Sequence, residues 1–513
     1  MADTRTQNTK RNITSGFVKQ IVSIILPFVT RTLVIHIFGE LYQGLSGLFT
    51  SILQVLSLAD LGFSTAVIYI LYKPIADEDN DAICAILAYL KKIYRIVGFV
   101  MFGIGVLILP FLDKLISGEI PTDINMYILY VLYLLNTVIS YWFFAYRSAL
   151  LTAKQRNDIV SNIQTVTSVC AKILQIIILL IFKNYYLFVV CNVAATVLNN
   201  VFIYVCSKKH FPDLIPRGNI SVETKKTLSK QVKAIMIGRV GDVSRNSLDN
   251  LFLSAMLGLS VVAAYDNYYY IYSSLYGFML MLNHAMQASV GNSIAKDGIE
   301  KNYNDLHRFS FIIAWISGWC AICMCCLYQP FMHIWMRGNE NLIFSNYNMI
   351  LFCIYFYAIN MNNVRNLYIS GQGLFWECRY LYIAEAVANI ILNWVLGYFF
   401  GVAGILWATI ITILLFNFIA RTMVLFKNYF KFSSKSFYLR HVMYFCVTAI
   451  VCVITYFVCS FVTFGGVLGL LLKAMICLVL PNVIFVLIYF KDKQFKNALQ
   501  IVRKIFSKKQ SVR

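Results

Sequence analysis

The chain has 513 residues, 59% of them hydrophobic and only 13% charged, with a mean hydropathy of +0.69. A soluble domain carries about a quarter charged residues, so a water-soluble globule is excluded and lipid must be the solvent. The net charge of +21, from 44 Lys and Arg against 23 Asp and Glu, is the balance of a nucleic-acid binder, but the basic residues sit where a bilayer accounts for them.

Apolar runs long enough to cross about 30 Å of hydrocarbon predict helices over 12–38, 45–72, 93–113, 124–150, 157–182 and 187–207. The second half continues with 232–257, 260–291, 306–329, 346–370, 380–400, 402–426, 441–462 and 466–490. The fold class expected is therefore all-α, with about fourteen transmembrane helices. The first run holds Lys19 and Arg31 and lacks a small-residue cleavage site, so it reads as a retained span rather than a signal peptide. In the ninth, Cys320, Cys323, Cys325 and Cys326 lie among Trp315, Trp319 and Met324. With no His or second cysteine pair in a polar setting, this reads as small apolar packing; no metal or other cofactor is expected.

Orientation follows from the connectors. Of the 44 Lys and Arg, 35 fall at one set of alternating loops and span edges; the opposite set holds only Lys114, Lys183 and Arg337. By the positive-inside rule both termini are cytosolic, and nucleic acid is not needed to explain the charge. The tail from Lys491 and the amphipathic stretch 427–440 are expected to rest on anionic headgroups.

The segment 208–230, with Pro212, Pro216 and Gly218, reads as a connector between two halves. Gly44-Leu45-Ser46 recurs as Gly258-Leu259-Ser260; Arg147 with Ala153-Lys154-Gln155 matches Arg365 with Ser370-Gly371-Gln372. Even helix counts per half make such repeats parallel. The expected organisation is a six-helix lobe over 1–210, a cytosolic connector over 211–231 and a second six-helix lobe over 232–427. Accessory helices thirteen and fourteen follow over 428–490, then a basic tail over 491–513.

Ionisable groups at membrane depth carry the functional signal. Lys19, Arg31, Lys172, Arg239 and Arg245 would together cost on the order of 15 kcal/mol against lipid, so they must face a hydrated or paired interior. Arg239, Asp242, Arg245 and Asp249 share one face of the seventh helix and could either pair among themselves or serve a ligand. Lys19 and Arg31 have no acid on their own helix, and Pro27 between them should kink it. Asp60 is either a coupling carboxylate or a partner of Arg31. Glu385, Asn389 and Asn393 form a stripe suited to cavity lining or to hydrogen bonds between helices. His284 reads as a structural group, and the tyrosines from Tyr265 to Tyr272 as packing or an interfacial belt, with sugar stacking the alternative. There is no P-loop, Rossmann glycine pattern or nucleophile elbow.

The pattern resembles the multidrug/oligosaccharidyl-lipid/polysaccharide exporter superfamily, and within it the bacterial polysaccharide-repeat-unit flippases. The residues that carry the likeness include Gly44-Leu45-Ser46 leading to Leu58-Ala59-Asp60-Leu61-Gly62-Phe63, and Ala153-Lys154-Gln155 after the fourth span. Others are Leu248-Asp249-Asn250-Leu251-Phe252-Leu253-Ser254 with Gly258, Ala264-Tyr265-Asp266-Asn267-Tyr268, and Pro330-Phe331 with Ile334-Trp335. The resemblance implies a two-lobed, non-enzymatic transporter of the bacterial plasma membrane that works by alternating access. Its passenger would be an undecaprenyl-pyrophosphate-linked oligosaccharide, for cell-surface polysaccharide biosynthesis. Arg31, Arg245, Arg239 and Lys19 are the positions that could meet phosphate, with Asp60, Asp242, Asp249 and Glu385 for coupling or charge pairing. Partners would be membrane lipids and the glycosyltransferases and polymerase of the same pathway, around a monomer. The rival is a cation-coupled drug or metabolite antiporter of the same superfamily, which would rely on buried acids.

Overall fold

The computed structural model describes residues 5–57 and 63–500, which places Asp60 outside the described residues. The side chains of Arg239 and Asp242 are also outside the description. Among the described residues there is helix and no strand. Each of the fourteen predicted runs is mostly helix over its described residues, with short breaks such as that at 143–145. Among the described residues nine helical segments are long and apolar enough to cross a membrane, ten if one bent pair is a single span. The segment Arg379–Phe430, at 52 residues, is about 78 Å of helix at 1.5 Å per residue, more than twice the hydrocarbon thickness. It turns at Gly401 (φ 57°, ψ −133°), between the two runs the sequence predicts there.

Contacts divide the chain into two compact units, Met1–Ala263 and Ala264–Arg513. The first opens with α1 (Arg5–Phe38), which contains Pro27. Gly39, at φ 95°, ends it in a conformation that a side chain would strain, and α2 (Glu40–Leu56) starts at once. After α3 (Phe63–Ala76), Asp79 caps α4 (Asn80–Ile108) by accepting from the Ala82 amide at 2.9 Å. Asn125 caps α5 (Met126–Trp142) through the amides of Tyr127 and Ile128. α5 and α6 (Tyr146–Ala153) are bent by 49° at a short break, where Phe144 has φ 59°. α7 (Asn157–Ile177) ends in a π turn, and Asn184 caps α8 (Tyr185–His210).

α9 (Val222–Leu257) begins at the Ser221 cap, so residues 222–231 are helical rather than connector. The Lys-rich stretch there runs without a break into the helix predicted from 232. Gly258 (φ 89°) separates α9 from α10 (Leu259–Lys296) as Gly39 separates α1 from α2. The first-half counterpart of this break is thus Gly39, not Gly44. Gly44 instead packs so closely that a Cβ there would come within 2.2 Å of the Leu259 carbonyl oxygen.

In the second unit, α11 (Ile299–Trp335) is the hub. It packs against α12 (Asn346–Met361), α16 (Lys435–Ser460) and α17 (Gly466–Tyr489). α13 (Asn363–Gly371), α14 (Arg379–Thr412) and α15 (Arg421–Leu425) complete it. The stretch 427–440 is not one amphipathic helix, because Lys431 adopts φ 58° and breaks it. Leu107, Phe399 and Val453 are each about 70% exposed; in water such side chains would be an aggregation surface, whereas around a spanning bundle they face acyl chains.

Candidate functional site: a cationic pair of cavities in the first unit

Two cavities open within the first unit between α1, α5, α7 and α8, with α2 closing one of them. One, of about 390 Å³, is lined by Pro27, Thr30 and Arg31 from α1, Gln54 from α2 and Lys172 from α7. The other, of about 610 Å³, is lined by Lys19, Gln164, Lys172 and many hydroxyl and amide side chains. Asn136, Lys172 and Asn192 belong to both walls, so the two chambers adjoin. Among the described residues no Asp or Glu lines either one. Lys19 and Arg31 are twelve residues apart on α1, about 18 Å along its axis, and Lys172 stands on the wall that joins them.

The lysines are held by amides. Lys172 Nζ donates to Gln175 Oε1 at 2.8 Å. Gln175 is fully buried, and its Nε2 donates to the Phe188 carbonyl and to Asn192 Oδ1, both at 2.9 Å. The Lys172 ammonium also lies 5.9 Å from the centre of the Phe188 ring. Lys19 Nζ donates to Gln164 Oε1 at 2.6 Å. An amide oxygen orients an ammonium and partly repays its desolvation without cancelling its charge. These walls can therefore attract an anion from a hydrated entrance, and Arg31 adds a planar donor fork suited to phosphate.

Of the residues singled out in the sequence, Arg31 and Lys19 line these cavities. Arg245 and Asp249 are buried on α9 and line neither. Glu385 forms a buried ion pair with Arg421, whose guanidinium lies over Tyr382 at 3.7 Å from the ring centre. Asn389 donates to Thr409 at 3.4 Å and Asn393 to Asn389 at 3.5 Å, so this stripe holds helical segments together. His284 approaches Gln287 at 3.3 Å on an exposed face. Tyr268 and Tyr272 are buried and stack on Tyr328 and Tyr355 at 5.2 and 4.5 Å, which is core packing.

Sequence reasoning counted Lys172 among the costly cations without giving it a role. Its position three residues before Gln175 was the available signal. Gln164, 145 residues from Lys19, gave none.

A family model described as polysaccharide biosynthesis protein matches residues 9–286, more than half the chain. No curated protein matches it. Among solved structures, the lipid II flippase MurJ in an inward closed conformation superposes with TM-score 0.66 at 13% identity, over 94% of this chain and 99% of that one. A variant of the Vibrio cholerae MATE transporter VcmN gives TM-score 0.60 at 12% identity, over 82% and 97%. A MOP-superfamily transporter from Pyrococcus furiosus, described as having a binding pocket of reverse polarity, gives 0.55 at 14%, over 83% and 97%. At these identities the structural likeness establishes the fold, while the family match reaches further: the chain belongs to the polysaccharide biosynthesis protein family, as a multi-pass membrane protein with the fold shared by these solved flippase and transporter structures.

Proposed function

We propose that this chain flips an undecaprenyl-pyrophosphate-linked oligosaccharide repeat unit across a bacterial plasma membrane by alternating access, with both termini cytosolic. The observation that carries the reading is the cationic lining of the two cavities. Arg31, Lys172 and Lys19 stand on their walls, the two lysines are held by glutamine amides, and no Asp or Glu is among the described lining residues. A pyrophosphate diester brings two negative charges and several acceptor oxygens, which offset the cost of keeping such cations in the bilayer. The amides and hydroxyls around Lys19 suit a polyhydroxylated glycan. Arg245 and Arg239 on α9 are held as a second set of phosphate-facing positions, and Asp60, Asp242 and Asp249 as groups for coupling or charge pairing. The enzymes that build and polymerise the repeat unit are the natural partners of a monomeric carrier.

The test is translocation of labelled lipid-linked oligosaccharide in vesicles reconstituted with the full chain. Arg31→Ala should lower the rate about tenfold to a hundredfold, the worth of one charge-assisted hydrogen bond at about 1.5–3 kcal/mol, with normal membrane insertion. Arg31→Lys should keep part of the activity. Undiminished flipping by Arg31→Ala would remove that residue from the site, and vesicles that move only a drug against a cation gradient would establish the antiporter instead.

A further inference from the structure

Ten of the 14 cysteines fall between Cys320 and Cys477, and their arrangement exceeds what apolar packing requires. Cys326 on α11, Cys459 on α16 and Cys477 on α17 bring their three sulfurs within 4.8 Å of one another. All three thiols are reduced and no more than 3% exposed. The Cys459 and Cys477 sulfurs are 3.9 Å apart. A metal ion at the centre of a triangle of thiolates, with metal–sulfur distances of about 2.3 Å, sets its sulfurs about 4.0 Å apart. The triangle of sulfurs already has nearly that size, and each corner comes from a different helix.

We propose that Cys326, Cys459 and Cys477 form a three-coordinate site for a soft, thiophilic monovalent metal ion of the Cu(I) class, which ties α16 and α17 to α11. Thiolate softness selects such ions over magnesium, calcium or manganese. Zinc in a structural site wants four protein ligands, and among the described residues this group offers three. The neighbouring Cys325 is turned to a separate pair, Cys353 and Cys452.

Access and charge also fit. A cleft of about 820 Å³ reaches Cys326 and Cys459, and Arg337 and Lys473 stand on its walls. Binding exchanges the thiol protons for the ion, and a Cu(I) tris-thiolate carries two negative charges, which these two cations offset. The local frame is held independently of the metal. Trp319 Nε1 donates to the Cys477 carbonyl at 2.9 Å, and Trp315 Nε1 to Asn482 Oδ1 at 2.9 Å. The C-x-x-C spacing of Cys320 and Cys323 plays no part.

The experiment uses the full-length protein in detergent, reduced and anaerobic, loaded with Cu(I) and washed against a chromophoric Cu(I) chelator. The expected result is about one Cu(I) retained per chain, with X-ray absorption showing three sulfur neighbours at about 2.3 Å. Cys326→Ser, Cys459→Ser and Cys477→Ser should each weaken retention at least tenfold, while Cys170→Ser, in the first unit, leaves it unchanged. If a serine variant fails to fold, the wild-type absorption spectrum decides. Retention of no Cu(I), an oxygen- or nitrogen-dominated shell, or undiminished retention by folded Cys459→Ser and Cys477→Ser variants would overturn the site. Metal-free wild type that instead accumulates a Cys459–Cys477 disulfide and then refuses Cu(I) after reduction would also overturn it.

Discussion

Arg421 of the second unit and the cavity lysines of the first are partnered in opposite ways. In the second unit, Arg421 is paired with Glu385 and stacked on Tyr382. In the first, Lys172 and Lys19 are held by glutamines on the walls of open cavities. A charge matched to a carboxylate inside protein is spent on architecture, because the pair presents almost no field beyond itself. A charge matched to an amide keeps its field. On the proposed function, a cation is therefore structural where its partner is a carboxylate and serves recognition where its partner is an amide.

The largest effect should come from reversing the field where the chambers meet. Lys172→Glu should reduce lipid-linked oligosaccharide flipping to background in reconstituted vesicles with little loss of folded protein. Robust flipping by that variant would erase the contrast between the units. Next is the second unit's pair. Glu385→Ala strands a buried guanidinium and should cost about 3–5 kcal/mol of stability, read as a lowered melting temperature in detergent. Replacing both partners with apolar residues of similar size should recover most of it. If Glu385→Ala instead melts normally but stops transport, the pair belongs to the working site.

A subtler probe is Gln175→Ala, which leaves Lys172 charged but unpositioned. We expect a loss of flipping of about tenfold, the scale of one net hydrogen bond at about 1 kcal/mol and the disorder that follows. The smallest effect lies outside the membrane, between α10 and α11, where Asp297 accepts from Lys301 at 2.6 Å and from Ser293 at 2.8 Å. Lys301 chiefly, with Ser293, holds its carboxyl below the usual carboxylate range. A depressed pKa stabilises the fold above the ordinary value of about 4, and that contribution disappears as pH falls through the folded value. Amide exchange at this turn should rise on acidification in the wild type and lose that dependence in Asp297→Asn.

Much of this architecture was legible in the sequence because it rests on chemistry that periodicity and charge report. The fourteen apolar runs are mostly helical over their described residues, and the repeat that pairs Arg147 with Arg365 has a physical basis. Each begins a helix just after a break, is buried, and donates to a backbone carbonyl further along its own half, Leu214 for Arg147 and Asn417 for Arg365. What stayed hidden was partnership. Arg421 looked like a cytosolic span edge until Glu385 met it, and no pattern joins Lys19 to Gln164 across 145 residues. The cysteines were misleading in the other direction, since the conspicuous close spacing on α11 is not the grouping that the fold assembles.

Pro27 falls within the stretch of α1 that lines the chamber beside Arg31. It removes one amide from α1, leaving the Ser23 carbonyl without its helical donor, and it is also part of the wall beside Arg31. On the proposed function, the point where α1 lacks a backbone hydrogen bond and the wall that would meet the passenger are thus one short piece of chain. Any change in the curvature of α1 must reshape the chamber that Arg31 faces, so a bound passenger could sense and bias that bending directly, with no relay between distant parts.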